Sequence, residues 1–293
     1  MKTDRAVGRA VLVAATLAVL VPFSAGTAHA TPAVPASGAN GVVVGNTGGD
    51  DNDVEVGNHR AVGNRVGVRN DDSNRNRTGV RNKNADRNDT LVDNVGSDDN
   101  DTGVSNHNAN GNRSSVRNKN ATGNQVVIIN EGYRGAGQAR SANRNDVVAV
   151  NRGAHRNDIA VANHRANLNK VAVGNTNASD NRSRAVNAGA DRNRSVIGNN
   201  DANSNDSDVV NLRSHRNTSV VSNNGSDRNS SAVRNTGSHR NTTVISNNGA
   251  HGNRSTVENT GSHGNTTVIS NNGGSRNTVR IGNSGTSVEI ERG

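Results

Sequence analysis

The chain has no cysteine and no tryptophan, a single phenylalanine and a single tyrosine among 293 residues. Without cysteine there is neither a disulfide framework nor a thiolate site. With aromatics at 1% of the chain, a conventional globular core is excluded and so is any row of rings for stacking bases. The three prolines, Pro22, Pro32 and Pro35, all precede residue 40. No apolar run is long enough to span a bilayer. Outside the repeat described below, no Ser-His-Asp set, carboxylate pair or metal cluster stands apart, so an enzyme is not expected, nor a cofactor.

What is present begins with a leader. Lys2, Arg5 and Arg9 precede an apolar run at 10–20, and Ala28-His29-Ala30 has the A-x-A form of a cleavage site. Residues 1–30 are therefore expected to be a secretory signal peptide, followed by a Pro/Ala linker at 31–39. The expected location is secreted, extracellular or at the cell surface. The leader carries +2 of the formal +9, leaving about +7 on the mature chain.

Low hydrophobicity and high polarity ordinarily mean disorder, but strict periodicity argues against it. Asparagine recurs every 12 residues from Asn40 through Asn52 to Asn124, then from Asn145 to Asn277, passing Asn241 and Asn265. A second series lies six residues on: Asn46, Asn58 and so on to Asn130, then Asn151 to Asn283 through Asn247 and Asn271. Each series has 20 members without substitution. Four residues after each first asparagine stands Val or Ile, except at Ala149 and Ala185. Two after it stands mostly Thr, Ser or Val. This alternation is the period-2 signature of a strand with one buried face. Two residues past the second asparagine comes glycine in eleven repeats, including Gly225, Gly237, Gly249, Gly261 and Gly273, which marks a left-handed turn.

A longer period overlies this one. NTTVISNNG occurs at 241–249 and again at 265–273, 24 residues apart. The outward residue three after the first asparagine is mostly apolar in odd repeats (Val196, Val220, Val244, Val268) and charged in several even ones (Arg184, Asp208, Arg280). Only a 24-residue coil separates these onto opposite faces. The expected fold is an all-β, two-sided β-solenoid of 12-residue strand-turn units over residues 40–285, about ten coils, with asparagine ladders. A nine-residue insertion loop at 133–141 (YRGAGQARS) enters at a turn, and 286–293 forms a partial cap in which Glu289 stands where asparagine is due.

The segments NAGADRNRSVIGN (187–199) and NKNADRNDTLVDN (82–94) resemble the curlin repeat of curli fibre subunits in their strand–turn–strand layout. The resemblance implies a secreted subunit that polymerises with itself into amyloid-like extracellular fibres, in surface adhesion or biofilm matrix. Strand edges at the ends of a rod are templates for a further copy, so the expected partner is the chain itself, stacked end to end. The alternative is a monomeric adhesin or an ice-binding rod using a Thr/Val face that includes Thr242, Thr266 and the four valines above. The positive charge makes anionic cell-surface polymer a further candidate partner; sequence-specific nucleic-acid recognition is not expected. His215, His239 and His263, spaced 24 apart, are the only candidates for a metal or pH-sensitive row. Sequons such as Asn76-Arg77-Thr78 and Asn265-Thr266-Thr267 follow from the ladder pattern, with asparagine inward.

Overall fold

The computed structural model describes residues 18–23, 29–32, 40–49, 51–135, 138–140, 143–177, 179–201, 203–225, 227–261, 263–283 and 288–292. Most of the expected linker lies outside them, as does most of 1–30. The described residues form a two-sided β-solenoid. Successive strands alternate between two parallel sheets, one of twelve strands and one of eleven. The repeats contribute ten strands to each, nearly all seven residues long, from Gly41–Thr47 to Thr278–Asn283. Each strand pairs with those one coil before and after it. Thr243 lies beside Thr267 and Val244 beside Val268, an offset of 24 residues.

Alternation along each strand explains why the chain folds this way. In Arg65–Asp71 the pattern is exposed, buried, half-buried, buried, exposed, buried, half-buried. Val66, Val68 and Asn70 point inward, and the charged residues point out. The inward Val and Ile rows of both sheets merge into one continuous core from Val44 to Ile281. Each fully buried Val or Ile contributes about 1.5–3 kcal/mol, so a thin core of β-branched residues suffices when it is repeated at every coil.

The core changes character along the rod. Between Val126 and Val171 the first inward position of each strand is apolar. From Ser183 to Thr267 it is Ser or Thr, and from Ser183 to Ser255 the hydroxyl accepts from an asparagine amide of the facing sheet. Examples are Asn199 Nδ2 to Ser183 Oγ at 3.0 Å and Asn259 Nδ2 to Thr243 Oγ1 at 3.1 Å.

Two features differ from the sequence expectation. The insertion is a short antiparallel hairpin rather than a loop, with Tyr133 opposite Arg140 and Gly135 opposite Gln138. Because it leaves at a turn, the ladders cross it unbroken: Asn145 Nδ2 donates to Asn112 Oδ1 at 3.2 Å. At the C-terminus, Val288–Arg292 pairs with Thr267–Asn271, placing Glu289 opposite Val268 and Ile290 opposite Ile269. Glu289 thus falls out of phase with the asparagine row, because the last connection is three residues shorter than a full coil. At the other end, Ala18–Phe23 pairs with Val42–Thr47, and His29–Pro32 with Asp53–Val56. Among the described residues no helix is long and apolar enough to cross a membrane.

Asn106 tests the contribution of the ladder. It donates to Asn82 Oδ1 at 2.8 Å and accepts from Asn130 Nδ2 at 2.9 Å, and it is buried. Asn106→Ala should destabilise the rod by about 1–3 kcal/mol for each amide left unmatched. Exposed Arg81→Ala should stay within about 0.5 kcal/mol. Thermal unfolding of both variants decides the matter, and equal Tm values would remove the ladder from the stability account.

Candidate functional site

The repeat leaves three kinds of surface: two flat faces, two turn edges and two ends. The first sheet's outer face carries rows at one-coil spacing. Val196, Val220, Val244 and Val268 are neighbours in register, flanked by Thr242 beside Thr266 and by Ser246 beside Ser270. Toward the N-terminus the threonine row continues as Arg65, Asp89 and Arg113. The opposite face stacks Arg184, Asp208 and Ala232. Burial pushes the half-buried Asp208 carboxyl above its ordinary range, and Arg184 only partly opposes this.

Each described turn except the one that carries the hairpin has two corners in the left-handed region. Gly225, Gly237, Gly249, Gly261 and Gly273 occupy the first, at φ 56–67°. The second corner is hidden in the sequence, because arginine holds it more often than glycine does. Arg75, Arg87, Arg192, Arg216, Arg240 and Arg276 all stand there at φ 54–60°. L side chains rarely adopt this conformation, and it is costly for a bulky one. The signal in the sequence was the recurrence of Arg or Gly five residues after the second asparagine.

The histidine row is real as geometry. His215, His239 and His263 form successive backbone bridges, and their rings stack with centroids 4.9 Å apart in both steps. Asp191 continues the row, with Oδ2 3.6 Å from His215 Nδ1. Partial burial lowers the pKa of His239, and the neighbouring His215, His263 and Arg240 lower it further. Among the described residues no group of three His or carboxylate side chains is placed to hold a metal ion. His251 lies on the other edge beside Asp227. A second row escaped the sequence reading: Glu131 lies between His107 and His164, 3.9 and 3.6 Å from their Nδ1 atoms, next to the inserted hairpin.

The ends are set by ladder polarity. In the row that includes Asn70 and Asn94, each Nδ2 donates to the Oδ1 one coil earlier, as in Asn94 to Asn70 at 2.8 Å and Asn271 to Asn247 at 2.7 Å. In the other row each Nδ2 reaches forward to a turn carbonyl, as in Asn64 to Ala85 O at 2.8 Å. In the last coils both patterns run out. Asn259 and Asn271 keep buried Oδ1 atoms with no partner, and Asn265 and Asn277 keep buried Nδ2 atoms with none. Asn76 and Asn265, the sequon asparagines, are buried. No protein-family model matches the chain, and no curated protein does either.

Asp208 supplies a pH test. Because its folded pKa is raised, the folded protein binds the proton more tightly than the unfolded chain does. Its burial therefore costs stability at neutral pH, and the cost fades as pH falls through the raised folded pKa and is gone below the ordinary carboxylate value of 3.8. Asp208→Asn should raise Tm at pH 7, with the gain vanishing below about pH 3.8. A Tm difference independent of pH would contradict this account.

Proposed function

We propose that the chain is a secreted structural subunit that polymerises end to end into amyloid-like extracellular fibres, in the manner implied by its resemblance to curli subunits. The observation carrying this reading is the state of the last coils. Asn271 Oδ1 and Asn277 Nδ2 there lack the partners that a further coil would provide. Leaving each unmatched costs about 1–3 kcal/mol. The coil that meets them best is the first coil of another copy, since it carries the same asparagine rows at the same spacing. Ladder polarity makes the contact head-to-tail, and a head-to-tail contact that does not close on itself gives an open filament. Val288–Arg292 covers one sheet of the C-terminal end. Among the described residues nothing follows Thr278–Asn283 in the other sheet.

The leader fits this reading as a temporary cover. Its strand at 18–23, and the strand at 29–32 that straddles the cleavage site, occupy the N-terminal edge, with Pro22 opposite Asn46 and Pro32 opposite Val56. Proline offers no N–H to a ladder, so this outer rung is a poor template. Cleavage after Ala30 would remove the strand at 18–23 and uncover the apolar first coil.

Time-resolved electron microscopy and fibre diffraction on residues 31–293 test the proposal. Fibres with a meridional reflection near 4.7–4.8 Å are expected. The chain retaining residues 1–30 should elongate at least several-fold more slowly. A persistently monomeric, β-rich rod would sink the proposal. Thermal hysteresis from that monomer would move the function to the Thr/Val face.

A further inference from the structure

Arginine and aspartate interleave along the sequence, yet the 24-residue coil sorts them by edge. The turns at 165–168, 189–192, 213–216, 237–240 and 261–264 lie on the edge that bears the inserted hairpin. They carry Arg165, Arg192, Arg213, Arg216 and Arg240 against one carboxylate, Asp191. The five opposite turns over the same coils carry Asp180, Asp201 and Asp227 against Arg228 and Arg276. One edge is strongly basic and the other is slightly acidic.

Three observations mark the basic edge as more than a solvated charge run. Its five arginines are exposed, and all sit at φ 48–60°, where glycine or asparagine would be easier. The fold accepts backbone strain to place a guanidinium at each. Its single carboxylate is already engaged: Asp191 Oδ1 accepts from Asn167 N at 2.9 Å, and Oδ2 faces His215. The surface is also concave, with adjoining grooves lined by Arg144, Leu168, Arg192, Arg216 and the three stacked histidines.

We propose that this edge binds a flexible phosphate polymer laid lengthwise along the rod, with Arg192, Arg216 and Arg240 as the principal contacts. The planar guanidinium fork matches phosphate oxygens in a two-point contact, which a lysine would not. Arg192, Arg216 and Arg240 hold equivalent positions in successive coils, beside a histidine row whose rings stand 4.9 Å apart. A flexible chain can follow such a row, whereas duplex phosphates wind away from it. No aromatic row accompanies the arginines, so the ligand is held by its phosphates and not by bases. His215, His239 and His263 face the same groove, together with Asp191, Arg192, Arg213, Arg216 and Arg240. Burial and the neighbouring cations hold the pKa of His239 down, and a bound polyanion would favour its protonated form. The inference does not rest on fibre formation.

The test is the affinity of the full chain for fluorescently labelled inorganic polyphosphate, measured by anisotropy across a salt series. One variant is Arg192→Asn, Arg216→Asn, Arg240→Asn. Its control is Arg156→Asn, Arg228→Asn, Arg276→Asn, which removes the same charge and relieves the same left-handed strain from the other edge. The first should weaken binding at least tenfold and lower the slope of log K against log salt by about 2, at roughly 0.7 per lost contact. The control should change affinity less than twofold. Circular dichroism confirms that both variants keep their strands. Equal losses in the two variants, no binding by the unaltered chain, equal affinity for polyglutamate, or tighter binding of duplex DNA would each overturn the proposal.

Discussion

An asparagine side chain ends in one acceptor and a two-hydrogen donor, and burying it is tolerable only if both are matched. In this protein the match comes from an identical side chain one coil away, at distances such as 2.8 Å between Asn106 and Asn82. Everything else follows from that constraint. The residue cannot be exchanged, because glutamine is a methylene longer and aspartate has no donor. The spacing cannot drift, because a one-residue slip would turn amides outward and charges inward. With register held by polar rows at both strand ends, the core between them can be as slight as one Val or Ile and one small residue per strand.

The arrangement also frees the outside. Outward residues mostly meet their counterparts one coil away, with cross-contacts such as Arg69 to Asp71 within one strand, so each row is a nearly independent column. Columns of valine, of alternating Arg and Asp, of histidine and of arginine coexist on one rod without disturbing the interior. Stability in such a structure is a sum over neighbours. Its weak places are where a neighbour is missing, and the unpartnered amides of the last coils lie there.

The architecture was legible because its signal is redundant: forty asparagines, an inner row of Val and Ile, and an outward position that separates only at 24 residues. Less legible were features depending on one residue's backbone. The left-handed second corner was hidden because Arg192 or Arg240 does not look like a turn residue. An unbroken 12-residue step puts Glu289 in the asparagine row, but the shortened last connection sets Ile290 opposite Ile269. The charge sorting by edge was present in the letters but needed the turns, and not only the strands, to be separated by parity. The row of His107, Glu131 and His164 was obscured by the inserted hairpin, which changes one spacing from 24 to 33.

The hairpin at 133–140 shows that a turn can absorb extra residues while the ladders run on past it. The repeat itself is less forgiving. Gain or loss of a 24-residue segment by unequal recombination would lengthen or shorten the rod and leave every column intact. A 12-residue change would preserve all asparagine rows and the core, yet move every downstream strand to the other sheet and every downstream turn to the other edge. The valine column would then break partway along the rod, and arginine turns would follow aspartate turns on the same side. The fold would survive and the surface would be scrambled. Selection on surface columns therefore makes two repeats, rather than one, the unit by which such a gene can change in length.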